Sequence, residues 1–420
     1  MHSMRLFFFM SALNPASLPT RPESGPGPRI SGPAPRLSIA PPRKPVFCHF
    51  TLSHAQLKSR TFHRQCLPLA ADGFEVRYLS PLHERDSRSG VNLIPLPQRA
   101  GRWRRILDWP RLLVTLLRQK AALYHFQDPE LLPVAFVLKA VFRKRVLYDA
   151  YEDFPSMARQ TTSLPHVLRP SVSRCVAFAE NIAARFLDAV VTADSQTLRR
   201  IARAGHSRKM VLYNFPNLDF FPSPAGSRRP KEFELVYRGG LSERAGTFLL
   251  LEALRILRRE GRVVRLLLIG YADTVAGEAN LRKEIADSGL SPFTELMSRI
   301  PHEEMAAALS RARIGISPLL DTPKFRINIP VKVFEYWACG LPVVASDLRP
   351  LWPFFRSTNA GLLFPPGDAH ALAFSIQWLL DHRAEAEEMG RAGRSAIVRR
   401  FHNRAEAVRF SRFCRHVIAG

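Results

Sequence analysis

The sequence predicts an α/β protein made of two doubly wound, Rossmann-like domains facing a central cleft. Three observations predict it. Short apolar runs alternate with helix-length segments, the alternation breaks once at a stretch rich in proline, asparagine and glycine, and it then restarts. Strands alternating with helices in this way imply a parallel sheet covered on both faces. A length of 420 residues suits two such domains, since roughly 150 residues make one.

Taken in order, residues 1–44 hold nine of the 34 prolines and a single acid, Glu23, with no apolar periodicity. Such a segment cannot bury a core and is expected to be disordered; an overlong start, with the protein proper beginning near Pro45, is the other reading. Its opening MHSMRLFFFMSAL has one arginine before an apolar run, as weak signal peptides do, but no clear small-residue cleavage site follows. PVFCHFT is the first strand, a helical stretch runs to Ala71, and FEVRYLS is the second strand, entered through Gly73. ALYHF, RVLYDA and DAVVTAD follow, each leading into a helix-length segment. The break falls at residues 214–233, NFPNLDFFPSPAGSRRPKEF, and reads as an interdomain linker. Beyond it come the strand FELVYRGG, a helix through TFLLLEALRILRREG and the strand VVRLLLIG. The helix EEMAAALSRA, the strand RIGISPL, the helix VKVFEYWACG and the strand LPVVASD come next, and helices close the chain. The domains expected are therefore 45–213 and 234–400, with a terminal helix over 401–420.

Composition excludes several classes of function. With 46% hydrophobic and 23% charged residues the chain is globular. Its net charge of +25 implies an anionic partner, whether nucleic acid, a membrane surface or a phosphorylated small molecule. Five scattered cysteines form no CxxC pair, which points to a reducing, cytoplasmic setting without structural zinc. No apolar run reaches the roughly 18–20 residues of a membrane span. RAGRWRRILDWPRLLVTLLRQKAAL, however, combines arginines with tryptophans and leucines, as a helix lying on an anionic membrane surface would. Pro110 would divide that segment, and leucines facing the sheet of a packed surface helix explain the pattern equally well.

The most informative stretch is Ile327–Asp347. Pro330 suits a helix start, where its missing N–H costs nothing. The N–H groups around Val331 and Lys332 would then face outward, a natural seat for a diphosphate. Lys332 adds a full charge, and Glu335, one turn on, could accept hydrogen bonds from two adjacent sugar hydroxyls. Gly340 ends the helix. An ordinary amphipathic helix with a solvated Lys and Glu accounts for the same residues. Gly239 and Gly240 sit between a strand and a helix, where glycine allows positive φ and close approach to a ligand; a plain turn does too. His125 lies near the end of ALYHF and Asp128 just past it, at the sheet end where ligands bind. HFQDPE also makes Asp128 an N-cap with Pro129 at the first helical position. Glu152 follows RVLYDA, as a site residue or a solvated loop acid.

PVKVFEYWACGLPVVASD resembles the donor-nucleotide motif of the retaining GT-B glycosyltransferases of family 4, and YRGGLSERAGTFLLLEAL resembles that family's glycine-rich turn. IPHEEMAAALSRARIGISPLLD and NAGLLFPPGDAHALAFSIQWLL follow in the family's order. YHFQDPELLPVAFVLK and VLYDAYEDFP look like a bacterial subgroup that reads HxHDPEL and YDxHEd. The resemblance spans about residues 45–405. It implies a GT-B fold whose last helix packs back on the first domain, and transfer of a sugar with retention from a nucleoside diphosphate to a glycan or lipid-linked acceptor. It implies that Glu335 binds the ribose, that Arg244, with Arg238 in reserve, and Lys332 face the phosphates, and that Asn328 or backbone amides contact the sugar. His125, Asp128, Glu130 and Glu152 would face the acceptor side. Three positions depart from the family. Ile327 stands where a sugar-contacting glutamate is usual, Ala245 where a basic residue precedes glycine, and Tyr151 where the subgroup has histidine.

No two aspartates stand two positions apart, so the pair with which the other large glycosyltransferase architecture holds a metal is missing. No metal and no cofactor are expected. The reading is a metal-independent glycosyltransferase of cell-surface polysaccharide synthesis, cytoplasmic or peripheral at the inner membrane face. A sugar-nucleotide epimerase of the same architecture is one alternative. A noncatalytic nucleic-acid- or membrane-binding protein is another, although no zinc-finger, RRM or helix-turn-helix pattern supports a nucleic-acid partner.

Overall fold

The computed structural model describes residues 44–53, 59–81, 84–97, 103–160, 165–202, 208–222, 231–272, 274–298 and 300–420. The expected disordered segment therefore lies outside the described residues, Lys44 apart. Two parallel sheets organise the rest. The first contains β1 (Val46–Phe50), β2 (Glu75–Ser80), β3 (Asp86–Arg88), β4 (Val91–Pro95), β5 (Leu123–Phe126), β6 (Val146–Ala150), β7 (Ala189–Thr192) and β8 (Arg208–Val211). Its order is β3-β4-β2-β1-β5-β6-β7-β8, parallel except for the β3–β4 hairpin. The second contains β9 (Phe233–Gly240), β10 (Leu266–Tyr271), β11 (Thr294–Met297), β12 (Ala312–Ser317), β13 (Val343–Ser346) and β14 (Gly361–Phe364), in the order β11-β10-β9-β12-β13-β14. Both sheets reverse their winding once, between β1 and β5 and between β9 and β12. Ligands of open parallel sheets bind at such switch points, outside the carboxyl ends of the strands.

Alternation of side chains builds two cores per lobe. Cys48, Phe50, Tyr124, Phe126, Tyr148 and Val190 pack on one face of the first sheet, and Phe47, Leu123, Leu147 and Val191 on the other. In the second lobe Leu235, Tyr237, Leu266 and Leu268 face the helix Thr247–Arg259, while Val236, Leu267, Val343 and Ala345 face the helix Val331–Ala338. Because both faces are covered, these strands are apolar throughout, and that made them visible in the sequence.

The strands not foreseen are short or polar. β3 is an exposed DSR tripeptide, β4 is the five-residue VNLIP with Asn92 exposed, β8 opens on Arg208 and Lys209, and β11 and β14 have four residues each. The chain crosses back at its end. The helix Asn403–Ala419 puts Phe410, Cys414 and Val417 into the first lobe beside Phe47 and Leu123. Arg145 donates to the Val417 carbonyl at 2.8 Å, and Glu406 accepts from the Tyr213 N–H at 2.9 Å. Among the described residues no helix is long and apolar enough to cross a membrane.

Candidate active site

At the second switch point, β9 ends on Arg238, Gly239 and Gly240, and the helix Val331–Ala338 follows the loop after β12. Pro330 is the residue before the first helical turn, with φ −72° and ψ 110°. The first N–H groups of a helix have no intrahelical acceptor, those of Val331 and Lys332 among them, and the Lys332 side chain reaches Gly239 at the end of β9. Gly340 ends the helix at φ +72°, with its N–H on the Trp337 carbonyl at 2.9 Å.

Lys332 is 8% exposed, and its Nζ rests 4.1 Å from the centroid of the Tyr237 ring. Burial pulls its ammonium down to about 7, the nearby Arg238 charge pulls the same way, and Glu335 opposes them. Glu335 is 1% exposed, and its Oε2 lies 3.2 Å from Arg238 Nε. The approach is an ion pair without hydrogen-bond alignment, so Oε2 is left a buried acceptor with no hydrogen bond. A buried carboxylate oxygen in that condition is costly unless a ligand hydroxyl or amide reaches it. The Arg238 backbone is held by its N–H to Tyr336 Oη at 2.8 Å, and that hydroxyl donates to the Ile316 carbonyl at 3.2 Å. A chain of bonds from β12 through the helix to β9 thus sets the Arg238–Glu335 geometry.

The glycines divide. Gly239 has φ +146°, and a Cβ there would stand 3.0 Å from Lys332 Nζ. Gly240 is a correction: its φ is not positive and a Cβ would meet nothing within 4 Å, so its place needs no glycine. The glycine the turn does require is Gly246, not singled out in the sequence. It has φ +78°, and its Cβ would fall 1.6 Å from the Pro318 carbonyl oxygen. Arg244 is exposed on this turn, and its carbonyl accepts from the Leu320 N–H at 3.1 Å. The structure joins Lys332 and Glu335 through Arg238, the reserve phosphate candidate, rather than through Arg244.

The first lobe contributes from the π-helical turn Ser59–Cys66. The Glu335 and Arg238 charges both act on Arg64, which burial lowers to about 10, and also on His302. The His302 ring packs edge-on against Phe220 at 5.0 Å. Sequence reasoning missed Arg64, which stands in none of the quoted segments, and passed over His302, although it stands in IPHEEMAAALSRARIGISPLLD.

At the first switch point the structure shows a buried polar network. Asp149, fully buried on β6, accepts from Arg60 Nε at 3.0 Å, Arg60 Nη2 at 2.9 Å, Gln65 Nε2 at 2.8 Å and Gln127 Nε2 at 2.9 Å. Burial alone would raise its carboxyl, but the Arg60 charge and the hydrogen bonds together hold it well below the usual carboxylate range. His125 is fully buried, with Nδ1 3.0 Å from His49 Nδ1 and Nε2 3.8 Å from Asp149 Oδ2. It lies in the lobe interior, behind the cleft wall. Burial also lowers its imidazole, more than Asp149 raises it.

Asp128 precedes Pro129, but its carboxylate does not cap the turn as expected; it accepts from the Thr51 hydroxyl. Glu130 accepts from Ser53 Oγ at 2.7 Å and Arg105 Nη1 at 3.1 Å. Glu152 and Tyr151 line a pocket of about 190 Å³ together with Asp194 of the first lobe, Tyr213 and Phe215 of the connection, and Asn328, Val331 and Phe334 of the second lobe. The structure therefore joins Glu152 to Asn328 and Val331 across the cleft, and keeps His125 apart from them. The basic segment is divided at Pro110 into a 3-10 stretch, Trp103–Asp108, and the helix Trp109–Arg118. Leu112 and Leu116 are buried, and Ile106, Leu107 and Val114 are exposed. Among the described residues no three His, Cys, Asp or Glu side chains group as metal ligands.

Residues 232–382 match the family described as glycosyl transferases group 1. Over 162 residues the chain is 33% identical to the amylovoran biosynthesis glycosyltransferase AmsK of Erwinia amylovora, covering 38% of this chain and 39% of that protein. Over 187 residues it is 30% identical to the phosphatidyl-myo-inositol mannosyltransferase of Mycobacterium leprae, covering 44% and 47%. It thus spans less than half the length of either relative. Among solved structures, sucrose-phosphate synthase from Thermosynechococcus elongatus superimposes with a TM-score of 0.71 at 21% identity, over 90% of this chain and 100% of that one. Anabaena HepE in complex with UDP gives 0.65 at 17% identity, over 89% and 100%. Residues 232–382, with the Arg238–Lys332–Glu335 cluster inside them, match the glycosyl transferases group 1 family, and the chain as a whole has the GT-B fold of these solved structures.

Proposed function

We propose that this protein is a glycosyltransferase of polysaccharide synthesis, moving a sugar with retention from a nucleoside diphosphate to a glycan or lipid-linked acceptor without a metal. The observation that carries the reading is the buried Glu335 carboxylate, which has an unfilled acceptor oxygen beside Arg238 and Lys332 at the mouth of a helix. In this reading Glu335 accepts hydrogen bonds from the ribose hydroxyls. Lys332, Arg238 and the N–H groups at Val331 face the diphosphate, and Arg244 approaches from the glycine-rich turn. As the bond to the sugar breaks, negative charge grows on the leaving phosphate, and fixed positive groups stabilise it more than they stabilise the ground state. Glu152, across the shared pocket from Asn328, faces the acceptor. His125 serves through the network behind it, and Asp128 and Glu130 shape the first lobe's wall. Exposed Ile106, Leu107 and Val114 beside Arg105, Arg111 and Arg118 would let this lobe rest on an anionic membrane surface, at the cytoplasmic face.

Thermal-shift screening against UDP-, GDP-, ADP- and dTDP-sugars, with and without EDTA, tests the proposal. One nucleotide class is expected to stabilise the protein, EDTA to leave the shift unchanged, and Glu335→Ala to weaken that donor by about 10- to 100-fold, the loss of one or two charged hydrogen bonds. No stabilisation by any donor would refute it.

A further inference from the structure

A second pocket, of about 600 Å³, takes its lining from both lobes. Its lining includes Ile327, the chain neighbour of Asn328 in the smaller pocket. From there it runs over the carboxyl end of β13 to Asp347, Arg349 and Trp352, and Gln196 closes it from the first lobe. Trp352 is half-buried, and three contacts fix its ring. Its Nε1 donates to Asp347 Oδ1 at 2.5 Å, and the guanidinium carbons of Arg349 and Arg356 stand 5.8 and 5.1 Å from the ring. Asp347 is itself set by its N–H on the Phe364 carbonyl at 2.7 Å. Along the lining, Arg326 grips Asp321 with two bonds, of 2.7 and 2.9 Å.

Resting on the glycosyltransferase reading above, we propose that this pocket is a subsite for an uncharged sugar residue of the acceptor glycan, stacked against Trp352. Four features select that ligand. A rigid aromatic ring offers area at little entropic cost, and the C–H face of a pyranose matches it once the guanidinium of Arg349 or Arg356, now over the ring, moves aside. Two acids and two arginines line the pocket, so their charges cancel and neither a phosphate nor a uronic acid is favoured. Carboxylate and guanidinium edges suit neighbouring hydroxyls, which donate to one and accept from the other. Finally, the pocket takes lining from both lobes and includes Ile327, next in the chain to Asn328 of the smaller pocket. The acceptor is then held on the second lobe as well as the first, one sugar from its reacting hydroxyl or further.

The test uses the full-length protein on a glycan array of neutral and uronic-acid-containing oligosaccharides, with UDP, GDP, ADP or dTDP present, whichever stabilises it most. Wild type is expected to bind neutral glycans, Trp352→Ala to lose that binding by about tenfold or more, and Trp352→Phe to keep most of it. Nucleotide affinity, measured by calorimetry on the same samples, is expected to stay within about twofold in both variants, against the roughly 1.4 kcal/mol of a tenfold change. A blank array for wild type, a preference for acidic glycans, equal binding by Trp352→Ala, or a parallel fall in nucleotide affinity would each overturn the subsite. Failure of every nucleotide to bind would instead count against the donor reading, and the glycan result would still stand.

Discussion

Each lobe buries a carboxylate at the switch point of its sheet, and the two carboxylates live differently. Asp149 receives four hydrogen bonds from Arg60, Gln65 and Gln127, all from its own lobe. Glu335 has one ion pair, with Arg238, through an Oε2 that receives no hydrogen bond. A buried acid whose lone pairs are filled from within holds shape, because a ligand could only displace bonds already made. A buried acid left short of donors has capacity to spend on a substrate, and the structure tolerates it because Lys332 and Arg238 lie close by. The same residue chemistry near the two switch points therefore has its lone pairs filled in one lobe and an acceptor left open in the other.

The largest way to break this contrast is to remove Arg60. Arg60→Ala strands a buried Asp149, so urea denaturation is expected to show a loss of about 3–5 kcal/mol. Its effect on nucleotide affinity should be smaller than that of Glu335→Ala; the reverse order would erase the distinction between the lobes.

A medium effect is expected from pH. The Lys332 ammonium, at about 7 in the folded chain, lies below the ordinary lysine value of 10.5. Between those values the unfolded chain binds more protons, so this residue's contribution to stability rises with pH through that window and is least in acid. A diphosphate favours the charged form. Donor affinity should therefore weaken above pH 7, by at most about tenfold per pH unit, with proton uptake visible by calorimetry in two buffers. In Lys332→Met that dependence should vanish, and a persisting slope would place the titration elsewhere.

The smallest comparison sets Arg238 against Arg244. Arg238→Ala is expected to lower kcat/KM by about tenfold or more, and exposed Arg244→Ala by less than about threefold, since charges facing water are screened. Steady-state kinetics on the two variants decides it, and equal losses would restore Arg244 to the phosphate site.

Most of the fold was legible because doubly covered strands are continuously apolar: β1, β5, β6, β7, β9, β10, β12 and β13 all announced themselves. The DSR edge strand β3 and the charged start of β8 carry no such pattern, since edges need less burial. In the site, Lys332, Glu335, Pro330 and Gly340 were readable from one helix, where spacing along the chain is spacing in space. Gly246 was not, because its need for glycine comes from Pro318 in a distant loop. The wish to place His125 in the open cleft failed for a related reason: a strand end can point inward as readily as outward.

Amino-acid order alone determined the two parallel lobes, the helix that starts after Pro330 and the acid one turn inside it, all of which depend on residues near one another in the chain. Only the tertiary structure decided that Arg238 rather than Arg244 meets Glu335, that Asp128 is held by Thr51, and that Trp352 shares a pocket with Gln196. Those pairings join residues far apart in sequence, and no local periodicity encodes which distant side chains the crossing loops will bring within a few ångströms.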